Sequence, residues 1–243
     1  MSEPTIVEVD GLDARVESFD WPFAAERAQA IDRHWAAESA KRGGKLWNGR
    51  VLLCREPRVE TRAGAHIFAA RFFETDFKTF LAFRDWSFPD RSVRNCFAMA
   101  ALRAADGPYL LARMGAHTAN AGRIYFAAGT PDPNDVVGDR LDLEGSVLRE
   151  LAEETGLTRA DVEEAPGYTL VMSGGRIACL KEMRARMGAD AAVARVRDFL
   201  VRENEPEIDG LVPVASTRDL KPDRMPDFIV AYLRAKLGGQ PPG

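Results

Sequence analysis

The stretch Arg149-Glu150-Leu151-Ala152-Glu153-Glu154-Thr155-Gly156-Leu157 constrains what the rest of the chain can be. Read as a helix, it places Glu150, Glu153 and Glu154 at i, i+3 and i+4, so three carboxylates share one face about a turn long. Like charges at that spacing repel, and helix stability alone does not ask for them. The opposite face carries Val147, Leu148 and Leu151, an apolar stripe that must be buried against another layer. Gly156 stands where a helix commonly ends in a left-handed residue. A core-backed helix with carboxylates on its open face offers oxygen ligands that suit Mg2+ or Mn2+. On spacing alone, a solvated acidic face is the commoner reading of such a helix.

Bulk composition narrows the setting. A chain of 243 residues has room for one large domain, or for an ordinary domain with a substantial extension. Hydrophobic residues at 46% and charged residues at 29% fit a globular protein with a sizeable core. The net charge of -4 gives no general attraction to nucleic acid or to an anionic membrane. Cys54, Cys96 and Cys179 show neither zinc spacing nor a disulfide framework, so they read as reduced and mostly buried, which fits the cytoplasm. No secretory signal and no membrane-length apolar run is evident.

Taken in order, residues 5–19 predict two short strands around Asp10-Gly11. Asp20 is the expected cap of a helix running to Gly43-Gly44. Lys45 to Arg50 reads as a turn with a buried Trp47, or as a pocket lip. Strands are expected over 51–55 and 66–73, then a short helix capped by Asp76. Ser87-Phe88-Pro89-Asp90 is the best candidate boundary, which makes 1–88 an N-terminal α/β extension. Beyond it, 95–104, 109–113 and 123–128 read as strands, and 131–140 as a loop. The acidic helix spans 143–155. Strands over 168–173, 177–183 and 211–214, a helix capped by Asp190 and a helix from Pro226 follow, with 239–243 as a disordered tail. Strands flanked by helices on both sides predict an α/β sandwich of mixed sheet.

The segment from Gly129 to Leu157 resembles the signature box of the Nudix hydrolase superfamily. That box has a glycine, five residues to a glutamate, then seven to Arg-Glu-aliphatic-X-Glu-Glu-X-Gly-aliphatic. Arg149, Glu150, Leu151, Glu153, Glu154, Gly156 and Leu157 match every defined position of its second half. The first half departs from the pattern, since Gly129 lies twenty residues before Arg149, where the family has fourteen. Counted back from Arg149, the glutamate position falls on Leu141, with Asp142 as the nearest substitute. The likeness covers roughly residues 91 to 235, judged from the order of strands and helices.

The resemblance implies a Nudix-type α/β/α sandwich over residues 89–238. It implies hydrolysis of a diphosphate linkage in a nucleoside diphosphate joined to another moiety, an NDP-sugar among the options. Mg2+ or Mn2+ would be held by Glu150, Glu153 and Glu154, reversing the local sign that repels a polyanionic substrate. By the same analogy Arg149 pairs with Asp142 or Glu150 to hold the loop, and Gly129 allows an unusual backbone conformation. The resemblance leaves the general base as either a box glutamate or a glutamate from a later loop, for which Glu207 is the candidate. Arg113 and Arg123 flank the loop leading to the box and are candidate phosphate contacts. Tyr125 and Phe126 are either base-stacking or core residues. The expected substrate is a small nucleotide-derived molecule, and the extension is expected to restrict its access or to form a homodimer. The competing class is a Nudix-fold binding or regulatory module that has lost catalysis; a plain structural acidic helix is a third reading.

Overall fold

The computed structural model describes residues 3–118 and 120–238, so the tail expected at 239–243 lies outside the described residues. β1 (Thr5–Val9) and β2 (Gly11–Val16) meet at Asp10, as the alternation predicts. Two helices follow where one is expected: α1 (Pro22–Glu26) and α2 (Ala28–Lys41), separated at Arg27. Asp20 does not cap the first of them. The cap position is Trp21, which makes no side-chain capping bond. Its ring is buried and its indole N–H donates to Asp90 at 2.8 Å, so packing of this ring fixes where the helix begins.

β3 (Arg50–Arg62) and β4 (Ala65–Asp76) form a hairpin longer than the apolar runs suggest. The ladder continues past a bulge between Arg55 and Arg58 into polar, exposed sequence, where no apolar periodicity marks it. Asp76 caps α3 (Phe77–Asp85) by accepting from the Thr79 amide at 2.9 Å. Then come β5 (Val93–Arg103), β6 (Tyr109–Met114) and β7 (Ile124–Tyr125), the last shorter than expected. The stretch 131–140 is more than a loop. It holds a 3-10 turn (Pro133–Asp135) and the hairpin β8 (Val136–Val137) and β9 (Arg140–Leu141).

The acidic helix is α4 (Leu143–Thr155), at the predicted bounds. β10 (Val162–Glu164), which the sequence reading lacks, β11 (Tyr168–Ser173) and β12 (Arg176–Ala185) follow. α5 (Ala189–Leu200) has Gly188, not Asp190, at its cap position. Its first amide is bonded instead by Asp106, from the turn between β5 and β6, at 2.9 Å. β13 (Ile208–Val214) and α6 (Asp227–Leu237) complete the chain.

These strands form one mixed sheet, ordered β1-β11-β12-β5-β3-β4-β2-β9-β8, with β10 on β12 and β6 joining β5, β7 and β13. β12–β5 and β2–β4 are parallel; the other pairings are antiparallel. β5 shows why helices cover both faces. Its Cys96, Ala98, Ala100 and Leu102 pack with Val147 and Leu151 of α4, while Phe97, Met99 and Ala101 pack with Phe228, Ile229 and Leu233 of α6. The result is an α/β/α sandwich with a mixed sheet.

Residues 3–88 are woven into this sheet. β1 pairs with β11, and β3 reaches β5 through Cys54↔Arg94 and Arg55↔Val93. The same segment has its own aromatic core, built on Trp21, Phe73, Phe80, Phe83 and Phe88. The hairpin β8–β9 docks on its strand β2 at Arg15↔Arg140. Buried Asp13 fastens that contact, accepting from Arg62 at 2.6 Å and Arg140 at 2.9 Å, and these guanidiniums hold its carboxyl below the usual range. Cys54, Cys96 and Cys179 are free and buried. Among the described residues, no helix is long and apolar enough to cross a membrane.

Candidate active site

α4 is held by local and core signals together. Asp142 caps it through the Gly145 amide at 2.9 Å, and Gly156 ends it in the left-handed region at φ 68°. Val147 and Leu151 are essentially inaccessible, each burial stabilising by roughly 1.5–3 kcal/mol. The carboxylate face is not uniformly open. Glu153 is exposed, Glu150 is half-buried, and Glu154 is only 6% exposed.

Glu154 is the unusual member. One oxygen accepts from the Ala128 amide at 3.2 Å, and the other, Oε2, is buried with no partner. Burial pushes its carboxyl up to about 8; the Ala128 amide opposes this, while Glu150, Glu207 and Glu153 add to it. Glu150 is also raised, chiefly by burial and against the pull of Arg149. Glu207 is exposed on the segment before β13, yet its charge reaches both Glu150 and Glu154.

Arg149 does not pair with Asp142, which is engaged as the helix cap. Its main partner is Asp135, 3% exposed, with Glu150 at 3.2 Å and Glu153 at 3.7 Å beside it. The Asp135 carboxylate holds the guanidinium well above its ordinary range. Counting forward from Gly129 shows why Asp135 matters: five residues separate the two, as in the Nudix pattern, with aspartate in place of glutamate. The extra length therefore falls after Asp135, where thirteen residues precede Arg149 and include the β8–β9 hairpin. The insertion puts Leu141, not Asp135, eight residues before Arg149.

Gly129 serves a different purpose from the one expected. It is not among the glycines with positive φ, so conformational freedom is not the reason for it. A Cβ there would stand 2.3 Å from Glu150 Oε1 and 2.8 Å from Oε2, so glycine leaves the space that this carboxylate occupies. Gly129→Ala is expected to change stability by less than about 1 kcal/mol, because a flexible carboxylate can swing away. It is expected to cut metal-dependent activity at least tenfold by displacing Glu150. Unchanged kinetics in a folded variant would count against a role for Glu150.

Beside these groups lies a cleft of about 610 Å3, reached through Ala128, Gly129 and Thr130. Arg123 and Tyr125 line it, and Tyr125 senses the charges of Glu154 and Glu207. Phe126 is instead fully buried against Tyr109 and Tyr232. Arg113 does not reach the cleft. It sits on β6, exposed and paired with Asp209 of the neighbouring β13. Trp47 is 84% exposed, neither buried nor part of the cleft. Phe77, Phe80 and Arg84, all from α3, line the far wall, a contribution that no motif announces.

The carboxylates fit a hard divalent cation in part. Glu154 offers a buried oxygen without a partner, next to half-buried Glu150. Among the described residues, no group of three or more Asp, Glu, His or Cys side chains is gathered tightly enough to hold a metal ion. Glu150 and Glu153 lie in ion-pair range of Arg149, at 3.2 Å and 3.7 Å.

The arrangement is a carboxylate-rich helix face beside a cleft of mixed arginine and aromatic lining. Among solved structures, the chain is similar to the MutT protein from Methanosarcina mazei Go1, with 16% identity, a TM-score of 0.37 and coverage of 58% of this chain and 91% of that one. It is similar to RenU, a Nudix hydrolase from M. smegmatis, with 13% identity, a TM-score of 0.35 and coverage of 58% and 81%. A mutant of the Bacillus subtilis pyrophosphohydrolase BsRppH gives 15% identity, a TM-score of 0.32 and coverage of 52% and 65%. No family model matches the chain, and no curated protein matches it.

Proposed function

We propose that this chain is a Nudix-type hydrolase that cleaves a diphosphate linkage in a small nucleotide-derived substrate, with Mg2+ or Mn2+ held at Glu150, Glu153 and Glu154. The observation that carries this reading is the buried, unpartnered Oε2 of Glu154 beside Glu150, on a helix whose sequence matches the second half of the box. A divalent cation there supplies charge neutralisation for the phosphoryl oxygens and a more acidic water. The chain's own groups do the rest. Asp135 and Arg149 lock the loop against α4, and Gly129 gives Glu150 its space. Glu207 is the exposed carboxylate that takes the proton from the attacking water. The cleft beside Gly129 takes the non-reacting part of the substrate, and α3 of the extension forms one of its walls.

The test is a panel of NDP-sugars, dinucleoside polyphosphates, NADH, ADP-ribose and coenzyme A, assayed for phosphate-containing products with and without Mn2+. Metal-dependent turnover of at least one class is expected, with Glu153→Gln lowering it by roughly 10²-fold or more at preserved fold. Full activity in Glu153→Gln and Glu154→Gln alike would sink the site. The thirteen-residue spacing after Asp135 favours one competitor, a binding module without catalysis. That reading predicts substrate binding with no turnover at any metal concentration.

A further inference from the structure

The cleft contains two polar groups that the hydrolytic reading does not use. Asn95, at 7% exposure, lines it with a buried Oδ1 that has no hydrogen-bond partner. Arg176 is its register neighbour across β5 and β12, half-buried, and lines the same cleft. Asp227 is the carboxylate whose charge supports Arg176. Asp227, also in the cleft, has its oxygens engaged by Ser173 Oγ at 2.5 Å and by its neighbour's amide, Phe228 N, at 2.9 Å. Arg84 and Arg123 line the same space of about 610 Å3, Arg84 paired with Asp85 at 3.0 Å and Arg123 donating to the Asp223 carbonyl at 3.2 Å.

Arg176 is held in place deliberately. Its guanidinium lies 4.8 Å from the centroid of the Phe88 ring. That ring occupies the space above Gly175, where a Cβ would stand 2.1 Å from it. Phe88 and Ser87 both adopt positive φ, at 56° and 62°, to present the ring there. Burial disfavours the charge on Arg176, and so do the neighbouring Arg84 and Arg123; only Asp227 supports it. A half-buried guanidinium with like-charged neighbours is matched by an anion, and a buried bare carbonyl oxygen by a donor N–H or O–H.

We propose that this cleft selects substrates whose non-reacting end carries its own anionic group, a phosphate or carboxylate ion-paired by Arg176, while Asn95 Oδ1 accepts a hydrogen bond from the same end. The inference deepens the hydrolase reading of this site and rests on it for the orientation of the substrate. It also gives the N-terminal segment a specificity role, since Arg84 and the Phe88 platform both come from it.

The experiment compares pairs of probes that share a diphosphate and differ in one distal anion. UDP-glucuronate against UDP-glucose tests a carboxylate, and coenzyme A against dephospho-coenzyme A tests a phosphate. Dissociation constants are measured by calorimetry on the full chain with Ca2+ in place of Mn2+, and kcat/KM is measured separately with Mn2+. The charged member of at least one pair is expected to bind about tenfold more tightly or better. Arg176→Ala should erase that preference and leave the uncharged member within about twofold, with Arg176→Lys intermediate. Should Arg176→Ala fail to fold, Arg176→Gln and Asn95→Asp test the same preference, Asn95→Asp weakening the charged member selectively. No preference in either pair, or an equal loss for both members in the arginine variants, overturns the proposal. A preference without turnover upholds it while removing the hydrolase reading; turnover without preference does the reverse.

Discussion

Glu154→Gln is expected to lower metal-dependent turnover by roughly 10²–10⁴-fold and, above pH 8, to raise the melting temperature of the metal-free protein. The two effects have one cause. The Glu154 carboxyl is raised from 4.5 to about 8 by burial, so the folded state holds its proton more tightly than the unfolded chain does. At pH below about 4.5 the group is protonated in both states and costs the fold nothing. Stability is lost as pH rises from there to about 8, and the full cost remains above that. Glutamine carries no charge to bury, so the variant should gain roughly 1–3 kcal/mol at pH 9 and almost nothing at pH 5. At about 2–4 °C per kcal/mol for a chain of this size, that is several degrees. Thermal melts of both proteins in EDTA across this pH range check it. A variant less stable than the parent at pH 9 would mean that Glu154 supports the fold and is not reserved for a cation.

The largest loss of stability among the polar residues of this region is expected at Asp135. Its side chain is almost completely buried and serves as the main partner of Arg149, so Asp135→Asn leaves a guanidinium with weakened compensation. Removing one partner of a buried pair costs about 3–5 kcal/mol. Arg149 retains 37% side-chain exposure and two other carboxylates, so the cost should be nearer 2–3 kcal/mol. Asp142→Asn is the control, since asparagine caps a helix about as well as aspartate, and it should lie within about 0.5 kcal/mol of the parent. Urea denaturation at neutral pH separates the two. The reverse order would restore Asp142 as the anchor of Arg149.

What the sequence disclosed follows from the range of the forces involved. α4 was legible to its last residue because its signals are local: a capping aspartate, an apolar stripe and a terminal glycine. The two-faced strand β5 was legible for the same reason. The hairpin β8–β9 was not, because strands of two residues carry no period and owe their place to pairing with β2. The start of α1 depends on a ring that packs against residues some fifty positions away, and α5 takes its N-terminal partner from Asp106 across the fold. At the site, the identity of the carboxylates was readable and their inequality was not. That Glu154 alone is buried depends on Ala128 and on the sheet beneath it. The cleft was least readable of all. Phe77, Asn95, Arg176 and Asp227 come from four separate elements, and no spacing in the chain links them.

The most direct test of the metal site on α4 is calorimetric titration of the metal-free protein with Mn2+ at pH 7, in two buffers of different ionisation enthalpy. Burial raises the Glu154 carboxyl to about 8, so a cation that uses the buried oxygen competes with a proton for it. Saturable binding with release of close to one proton per ion is predicted, and Glu154→Gln should lose both the release and most of the affinity. No saturable binding by the parent, or equal binding by the variant, would contradict the assignment of this helix as the metal site.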